Sequence, residues 1–318
     1  MKNGIAVAGT ILVDEINEIS AYPKSGELTK ILKVDKSVGG CVPNVAVDLK
    51  RICPSLTVKA IGKVGNDDNG KYVKRIFEDN EVNYENVSIG NNPTSFTQVM
   101  SVKTGERTFF TYAGANDEFG VSDVDVDRLN VKMFHLGYFL LIDKIDNGEG
   151  LELLKKVRNA GIKTSIDLVS ENSDRYGKIL PCLPYVDNII VNEIEAGKLV
   201  NEQPTDTNLI AIAQKIKALG VRERVIIHSP KTAVCVSDSN ETILPSFKFP
   251  TKSIVGTTGA GDAFCSGALI AIYQQKTDLE ILEFAQSVAV CSLTSIDATS
   301  GVREQSEVIK FCKNLKRI

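Results

Sequence analysis

The sequence predicts an α/β fold whose sheet is mostly parallel and is covered by helices on both faces. From residue 131 onward, strand-like apolar runs alternate with helical segments, as in a parallel sheet whose strands are joined by helices. Near the amino end, residues 5–13 form a continuous apolar run, which is typical of a strand buried on both faces. Near the carboxyl end, a glycine-rich turn leads into an apolar helix at 263–273.

Length and composition favour one packed domain over residues 1–318, since 43% of the residues are hydrophobic and no linker or repeat interrupts the chain. The net charge of −3 argues against nucleic acid as a partner. The apolar run at 5–13 is too short to span a membrane. The seven cysteines are scattered singly, with no Cys-x-x-Cys pair, so we expect reduced thiols in a cytoplasmic protein and no zinc site.

The amino-terminal part is predicted to hold one buried strand, a peripheral segment and a helix. The strand ends at Asp14. Ligands of open α/β sheets bind past the carboxyl ends of strands, so Asp14 either grips substrate hydroxyls or simply begins a loop. Residues 15–38 alternate loosely and indicate peripheral strands. Two glycines and Pro43 then precede apolar residues at helical spacing, which predicts a helix start.

The remaining elements follow from hydrophobic periodicity. Strands are predicted at 56–62, 133–137, 162–167, 186–191 and 224–228, and a hairpin at 94–112 with its turn at 104–107. Helices are predicted at 72–77, 150–160, 193–200, 208–219, 263–273 and 284–294. His135 falls inside an apolar strand and is expected to be a hydrogen-bonded core residue. His228 ends a strand and is expected to begin a loop over 228–233.

The turn Thr257-Thr-Gly-Ala-Gly-Asp262 favours an anion, because its glycines let the backbone approach a ligand and helix-start N–H groups attract negative charge. Asp262 lies in the first helical turn. It can cap the helix, or it can take a hydroxyl proton during phosphoryl transfer. No lysine follows the glycines, as a P-loop requires, and Phe264 stands where a dinucleotide fingerprint has a third small residue.

Asn192 and Glu195 are three residues apart where a predicted strand leads into a predicted helix. A capping box is the commoner explanation of this pair. Alternatively, the two side chains orient water around Mg²⁺ bound to phosphates.

Two stretches resemble motifs of the ribokinase-like (PfkB) carbohydrate kinase family. One is Thr257-Thr-Gly-Ala-Gly-Asp-Ala-Phe-x-x-Gly267, and the other is Gly39-Gly-x-x-x-Asn44-x-Ala. The resemblance implies a three-layer α/β/α fold with a doubly wound, mostly parallel sheet. It also implies a small β-sheet lid, formed by about 15–38 and 94–112, that commonly pairs two subunits into a homodimer.

The resemblance further implies an ATP-dependent kinase that uses Mg²⁺, with Asp262 as catalytic base. The implied anion hole consists of Gly259, Ala260 and Gly261. The implied sugar contacts are Asp14, Gly40, Cys41 and Asn44. The implied contacts to nucleotide and Mg²⁺ are Asn192, Glu195, His228 and Gln286, with Glu195 reaching the ion through water.

Departures from the family pattern bear on the substrate and on the requirement for a monovalent cation. Leu12 and Cys41 stand where ribokinases have Asn and Lys, which disfavours ribose. The hairpin exit offers no Arg to pair with the carboxylate of a sugar acid, so a neutral sugar other than ribose is favoured. A nucleoside kinase and a non-catalytic sugar sensor are the alternatives. Gly256 replaces the family's cation-binding Asp, and Asp297 stands where relatives have Gly, so little dependence on K⁺ is expected.

Overall fold

The structure, a computed structural model, describes residues 2–103, 106–170 and 173–318. Thr104 and Gly105, in the predicted hairpin turn, lie outside the described residues. The strands are β1 Ile5–Gly9, β2 Leu12–Ile19, β3 Ile31–Gly39, β4 Val58–Val64, β5 Asn83–Ile89, β6 Phe96–Ser101, β7 Arg107–Tyr112, β8 Met133–Phe139, β9 Lys163–Leu168, β10 Asn188–Asn192, β11 Arg224–His228, β12 Thr232–Ser237 and β13 Glu241–Pro245. The α-helices are α1 Cys41–Ile52, α2 Asp68–Asp79, α3 Gly150–Asn159, α4 Glu193–Val200, α5 Leu209–Ala218, α6 Ala260–Tyr273, α7 Asp278–Ser292 and α8 Gln305–Cys312.

Within these residues the central sheet has nine strands in the order β13-β12-β11-β10-β9-β8-β1-β4-β5. Neighbours from β11 to β5 are parallel, whereas β12 and β13 are antiparallel additions at one edge. The chain reverses its direction of travel across the sheet at β1, which lies between β8 and β4. Ligands of open α/β sheets bind at the carboxyl ends of strands beside such a reversal, and this edge holds the site described below.

Each face of the sheet carries its own hydrophobic core. In β1, Ile5 and Val7 join the core formed with α1, α2, α6, α7 and α8, whereas Ala6 and Ala8 join the core formed with α3, α4 and α5. All four side chains are fully buried. The prediction of a strand covered on both faces, and of three layers, is confirmed.

A second sheet, in the order β3-β2-β6-β7 among the described strands, stands apart from the central one. The pairs β2–β3 and β6–β7 are antiparallel, and β2–β6 is parallel. This sheet corresponds to the predicted lid, although it begins at Leu12 rather than at residue 15. Its edge strands carry exposed apolar side chains, namely Ile31, Leu32, Val34, Phe109, Phe110 and Tyr112.

The prediction of one strand over residues 5–13 is wrong. The chain leaves the central sheet at Gly9, whose φ is 139°. A Cβ there would stand 2.5 Å from the carbonyl oxygen of Gly137, so only glycine fits this departure. Leu12 then begins a lid strand, and Asp14 lies on that strand instead of following a central one.

The prediction of a loop over 228–233 is also wrong in extent. The N–H of Ser229 donates to the carbonyl oxygen of Thr232 at 2.8 Å, which closes a tight turn around Pro230. Thr232 and Ala233 already belong to β12.

No helix in the described parts of the chain is both long and apolar enough to cross a bilayer.

Candidate active site

A cavity of about 220 Å³ lies where the carboxyl ends of β8 to β11 meet the amino end of α6. It brings together the predicted residues Asn192, Glu195, His228, Gly259, Ala260, Gly261 and Asp262. The strands and the helix come from distant parts of the sequence, so the fold alone creates this arrangement.

The amino end of α6 has the form of an anion site. Gly259 has φ 77°, and a Cβ there would stand 2.5 Å from the Cα of Ala298, so the position requires glycine. Within the described chain, no side chain caps this helix. First-turn N–H groups lack intrahelical acceptors, and the helix dipole makes this end positive. Because Ala260 and Gly261 line the cavity, an anion bound there can accept hydrogen bonds from the turn.

Asp262 is held by two neutral donors on a single carboxylate oxygen. The Nδ2 of Asn44 lies 2.9 Å from Oδ2 of Asp262, and the hydroxyl of Tyr138 lies 3.0 Å from the same oxygen. Among the described residues, Oδ1 has no donor. The side chain is therefore fixed from α1 and β8, and Oδ1 is the oxygen available to a ligand.

Burial raises the pKa of Asp262 to about 7. The negative charge of Asp167 raises it as well, whereas the hydrogen bonds from Asn44 and Tyr138 lower it. A carboxyl with a pKa near the operating pH is suited to accept a proton during a reaction.

Tyr138 and Asp167 were missed by the sequence analysis. The backbone of Tyr138 is left-handed, with φ 58°, and its N–H donates to Oδ1 of Asp167 at 2.5 Å. This contact fixes the turn that aims the tyrosine hydroxyl at Asp262. Both residues lie near the carboxyl ends of neighbouring parallel strands, so the rule that selected Asp14 could have selected them.

Asn192 and Glu195 form a capping box at the start of α4. The Oδ1 of Asn192 accepts the N–H of Glu195 at 2.9 Å, and Oε2 of Glu195 accepts the N–H of Asn192 at 3.0 Å. The other oxygen, Oε1, accepts from Nδ2 of Asn192 at 2.8 Å and from the Ser170 hydroxyl at 2.9 Å. Burial raises the pKa of Glu195 to about 7. The structural explanation is thus confirmed, and the same side chains also line the cavity.

His228 ends β11 and packs against Phe264, with ring centroids 4.5 Å apart and ring planes tilted by 31°. Burial lowers the pKa of His228 to about 4, so the ring is neutral near pH 7. It can offer a hydrogen bond or a flat surface to a ligand in the cavity, but no positive charge.

The predicted sugar contacts cluster at the start of α1. Gly40 has φ 86°, and a Cβ there would stand 2.7 Å from the carbonyl oxygen of Thr10. The hydroxyl oxygen of Thr10 accepts the N–H of Cys41 at 3.2 Å, and Asn44 follows on the same helix. A Cβ at Gly9 would stand 2.8 Å from Sγ of Cys41, so this buried thiol lies directly against β1.

Asp14 approaches this cluster from the lid sheet. A Cβ at Gly39 would stand 2.9 Å from Cγ of Asp14 and 2.7 Å from Cδ1 of Leu12. Burial raises the pKa of Asp14 to about 6. The lid also reaches the glycine-rich turn, because Nη1 of Arg107 lies 3.4 Å from the hydroxyl oxygen of Thr258.

Gln286 is not brought to the cavity. Its Nε2 donates to the carbonyl oxygen of Leu244 at 3.0 Å, and its Oε1 accepts from Nη1 of Arg317 at 2.6 Å. These bonds tie α7 to β13 and to the carboxyl terminus. Its contact with nucleotide therefore stays a prediction.

A larger cavity of about 460 Å³ lies at the opposite end of the strands. Its charged side chains are all paired: Lys163 with Glu223 at 2.6 Å and Arg224 with Asp278 at 2.7 Å, and, with partners outside the lining, Asp238 with Lys217 at 2.5 Å and Lys276 with Glu280 at 3.3 Å. These pairs account for its charges without a ligand, so the cavity at α6 is the candidate site.

A helix start suited to an anion lies beside a buried carboxylate at the carboxyl edge of a doubly wound sheet. This arrangement is typical of α/β enzymes that act on small molecules. The model of the pfkB family carbohydrate kinases matches residues 5–305. The chain therefore belongs to the pfkB family of carbohydrate kinases.

Individual relatives agree with this assignment. Ribokinase from Arabidopsis thaliana is 26% identical over 315 residues, covering 97% of this chain and 81% of that protein. Adenosine kinase from Dictyostelium discoideum is 27% identical over 271 residues, covering 78% and 76%. The structure of Arabidopsis thaliana ribokinase complexed with ribose and ATP superposes with a TM-score of 0.84 at 24% identity, covering 98% of this chain and 99% of that one. The predicted ribokinase-like fold is confirmed.

Proposed function

We propose that the protein transfers the γ-phosphoryl group of ATP to a hydroxyl of a neutral sugar. The observation that carries the proposal is the environment of Asp262, a buried carboxylate in the first turn of α6. Within the described residues its Oδ1 accepts no hydrogen bond and no side chain caps the helix. Such a turn suits a phosphate, and such a carboxylate suits a hydroxyl beside it.

The reaction follows from these positions. Oδ1 of Asp262 accepts the proton of the sugar hydroxyl. The hydroxyl oxygen then bonds to the γ-phosphorus while the bond from that phosphorus to the β–γ bridging oxygen breaks, and ADP leaves with that oxygen. The amides of residues 259–261 stabilise the negative charge that develops on the transferring group. Asn44 and Tyr138 keep the carboxylate aimed through their bonds to Oδ2.

The cavity fits Mg²⁺ as the companion of ATP. Asp167, Glu195 and Asp262 all line it, and its described lining residues include no Lys or Arg. Mg²⁺ in proteins is bound by one or two carboxylates and keeps several of its own water ligands. Since both oxygens of Glu195 already accept hydrogen bonds, that side chain would hold the ion through water. When bound, Mg²⁺ neutralises charge on the phosphate oxygens.

The proposed acceptor is a neutral sugar other than ribose. Leu12 and Cys41 give this end of the site an apolar side chain and a buried thiol, where ribokinases have Asn and Lys. The second candidate is a nucleoside, which the similarity to adenosine kinase supports. A sugar sensor without activity is disfavoured because Asp262 and the glycine turn are both retained.

We propose further that residues 1–318 act as one kinase domain in the cytoplasm, and that two copies pair through their lids. Seven free thiols support the location. The exposed side chains of Val34, Phe109 and Phe110 support the pairing, since soluble proteins seldom leave such apolar edges bare.

The test is ADP release from MgATP across a panel of neutral sugars and nucleosides, with product mass as a second readout. We expect at least one neutral sugar to gain the mass of a phosphoryl group. Phosphorylation of nucleosides alone would establish the second candidate. Calorimetric binding of a sugar without product would instead identify a sensor and overturn the proposal.

A further inference from the structure

Three side chains with metal-binding chemistry converge at the floor of the cavity. His135, Asp167 and Cys265 each offer one ligand atom, and these atoms all lie within 4.8 Å of one another. The Nε2 of His135 is 3.3 Å from Oδ2 of Asp167 and 3.6 Å from Sγ of Cys265. Ligands that sit about 2.0–2.3 Å from a tetrahedral Zn²⁺ stand roughly 3.3–3.8 Å apart, so both separations are those of a chelate.

The histidine is oriented for this role by its other nitrogen. Nδ1 of His135 lies 2.7 Å from the hydroxyl oxygen of Ser165 on the neighbouring strand. A metal-binding histidine usually has such a partner, because the bond fixes the ring and leaves the opposite nitrogen free to ligate. The three side chains stand on β8, β9 and α6, and all are buried. The trio is therefore held rigidly.

An ion has a route to this position. Asp167 and Cys265 line the cavity, so they are reached from it, and a cavity water can complete the coordination. A second thiol adjoins the trio. A Cβ at Gly137 would stand 2.8 Å from Cβ of Cys41 and 3.1 Å from Oδ1 of Asp167, so both side chains meet beside this glycine.

We propose that His135, Asp167 and Cys265 form a binding site for a divalent transition ion of the Zn²⁺ class. The thiolate and imidazole select such an ion over Mg²⁺, which takes oxygen ligands. Binding displaces the proton of the Cys265 thiol to solvent. The spacing of the cysteines could not reveal this site, because its ligands come one each from three elements. The site shares the carboxylate Asp167 with the wall of the cavity, but it does not include Glu195, which is proposed to hold Mg²⁺ through water.

The test is an anaerobic titration of the whole protein with Co²⁺, in a large excess of Mg²⁺ that saturates oxygen-only sites. We expect one equivalent of Co²⁺ to produce a thiolate-to-cobalt charge-transfer band, and Zn²⁺ to displace it. Cys265→Ser should remove the band. Cys182→Ser, which alters a buried thiol outside the trio, should retain it.

A second variant separates ligation from folding. Ser165→Ala leaves all three ligands in place and removes the partner of His135, so the affinity for Co²⁺ should fall about tenfold or more. The proposal is overturned if the wild-type protein shows no band, if folded Cys265→Ser keeps it, or if Ser165→Ala binds as tightly as the wild type. Circular dichroism verifies folding in each case.

Discussion

Tyr138→Phe is expected to move the pH dependence of the reaction rather than abolish it. The variant removes one of the two hydrogen bonds that lower the pKa of Asp262 and leaves the bond from Asn44. A hydrogen bond to a charged group is worth about 1.5–3 kcal/mol, which corresponds to roughly one to two pKa units. The pKa of Asp262, about 7 in the wild type, should rise by that amount.

The base must be ionised to accept a proton. A higher pKa therefore lowers activity only at pH values at which Asp262 is protonated in the variant. At pH 7 we expect kcat/KM to fall roughly five- to fiftyfold, and at about pH 9.5 we expect most of it to return. The assay is ADP release, with kcat/KM for the sugar measured from about pH 5.5 to about pH 9.5, because this ratio reports the groups of the free enzyme.

Tyr273→Phe is the matched control. Tyr273 is the last residue of α6, at the end of the helix away from Asp262, and its hydroxyl donates to Oδ1 of Asn3 at 2.6 Å. We expect its pH profile to coincide with that of the wild type. A Tyr138→Phe profile that is lowered equally at every pH would contradict the reasoning, since it would show a general loss of structure rather than a shifted base.

Three further predictions concern the cation, the assembly and the fold. Exchanging K⁺ for tetramethylammonium at constant ionic strength should change kcat little, because Gly256 has no side chain and Asp297 already accepts two backbone N–H groups; a rise of about tenfold with K⁺ would contradict this. Light scattering should show a dimer that Phe109→Lys dissociates, and a fully active wild-type monomer would refute pairing through the lids. Because the pKa of Asp262 is raised from 3.8 to about 7, protonation of this carboxyl stabilises the folded state. This contribution is complete below pH 3.8 and is lost as the pH rises through about 7. The free energy of unfolding in urea is therefore compared between Asp262→Asn and the wild type. The value for the variant minus the value for the wild type should rise by up to about 4 kcal/mol from pH 4 to pH 8, and the same value at both pH values would be inconsistent with this burial.

Local signals in the sequence sufficed where an element has clear ends. The bounds of β11 and α4 match the prediction, because a short apolar run and an Asn cap mark them. β5 was missed, since it is a partly exposed edge strand with few apolar residues. The loop predicted over 228–233 includes the first two residues of β12, because the family resemblance implies a loop after His228 and the tight turn around Pro230 is shorter than that loop.

The candidate site was likewise predictable from the sequence only in part. Asp262 was identified from its glycine-marked helix start, and Asn44 from the resemblance to the family motif. The structure joins the two side chains directly. Tyr138 and Asp167 could have been selected as residues near strand ends, but their action on Asp262 could not be predicted from local pattern. Tyr138 reaches it from a strand 124 positions away, and Asp167 acts on it through charge. Both effects depend on the order of strands in the sheet, which sequence spacing does not encode.

The central claim is that Asp262 is the base of a phosphoryl transfer. The most direct measurement compares Asp262→Asn with the wild type on the best acceptor, following phosphorylated product at saturating MgATP and measuring sugar and nucleotide binding by calorimetry. Loss of a general base costs about 10²–10⁴-fold, so we expect kcat to fall by that factor while both ligands still bind. A variant that keeps more than about a tenth of the wild-type kcat would contradict the account, because the proton would then leave by another route.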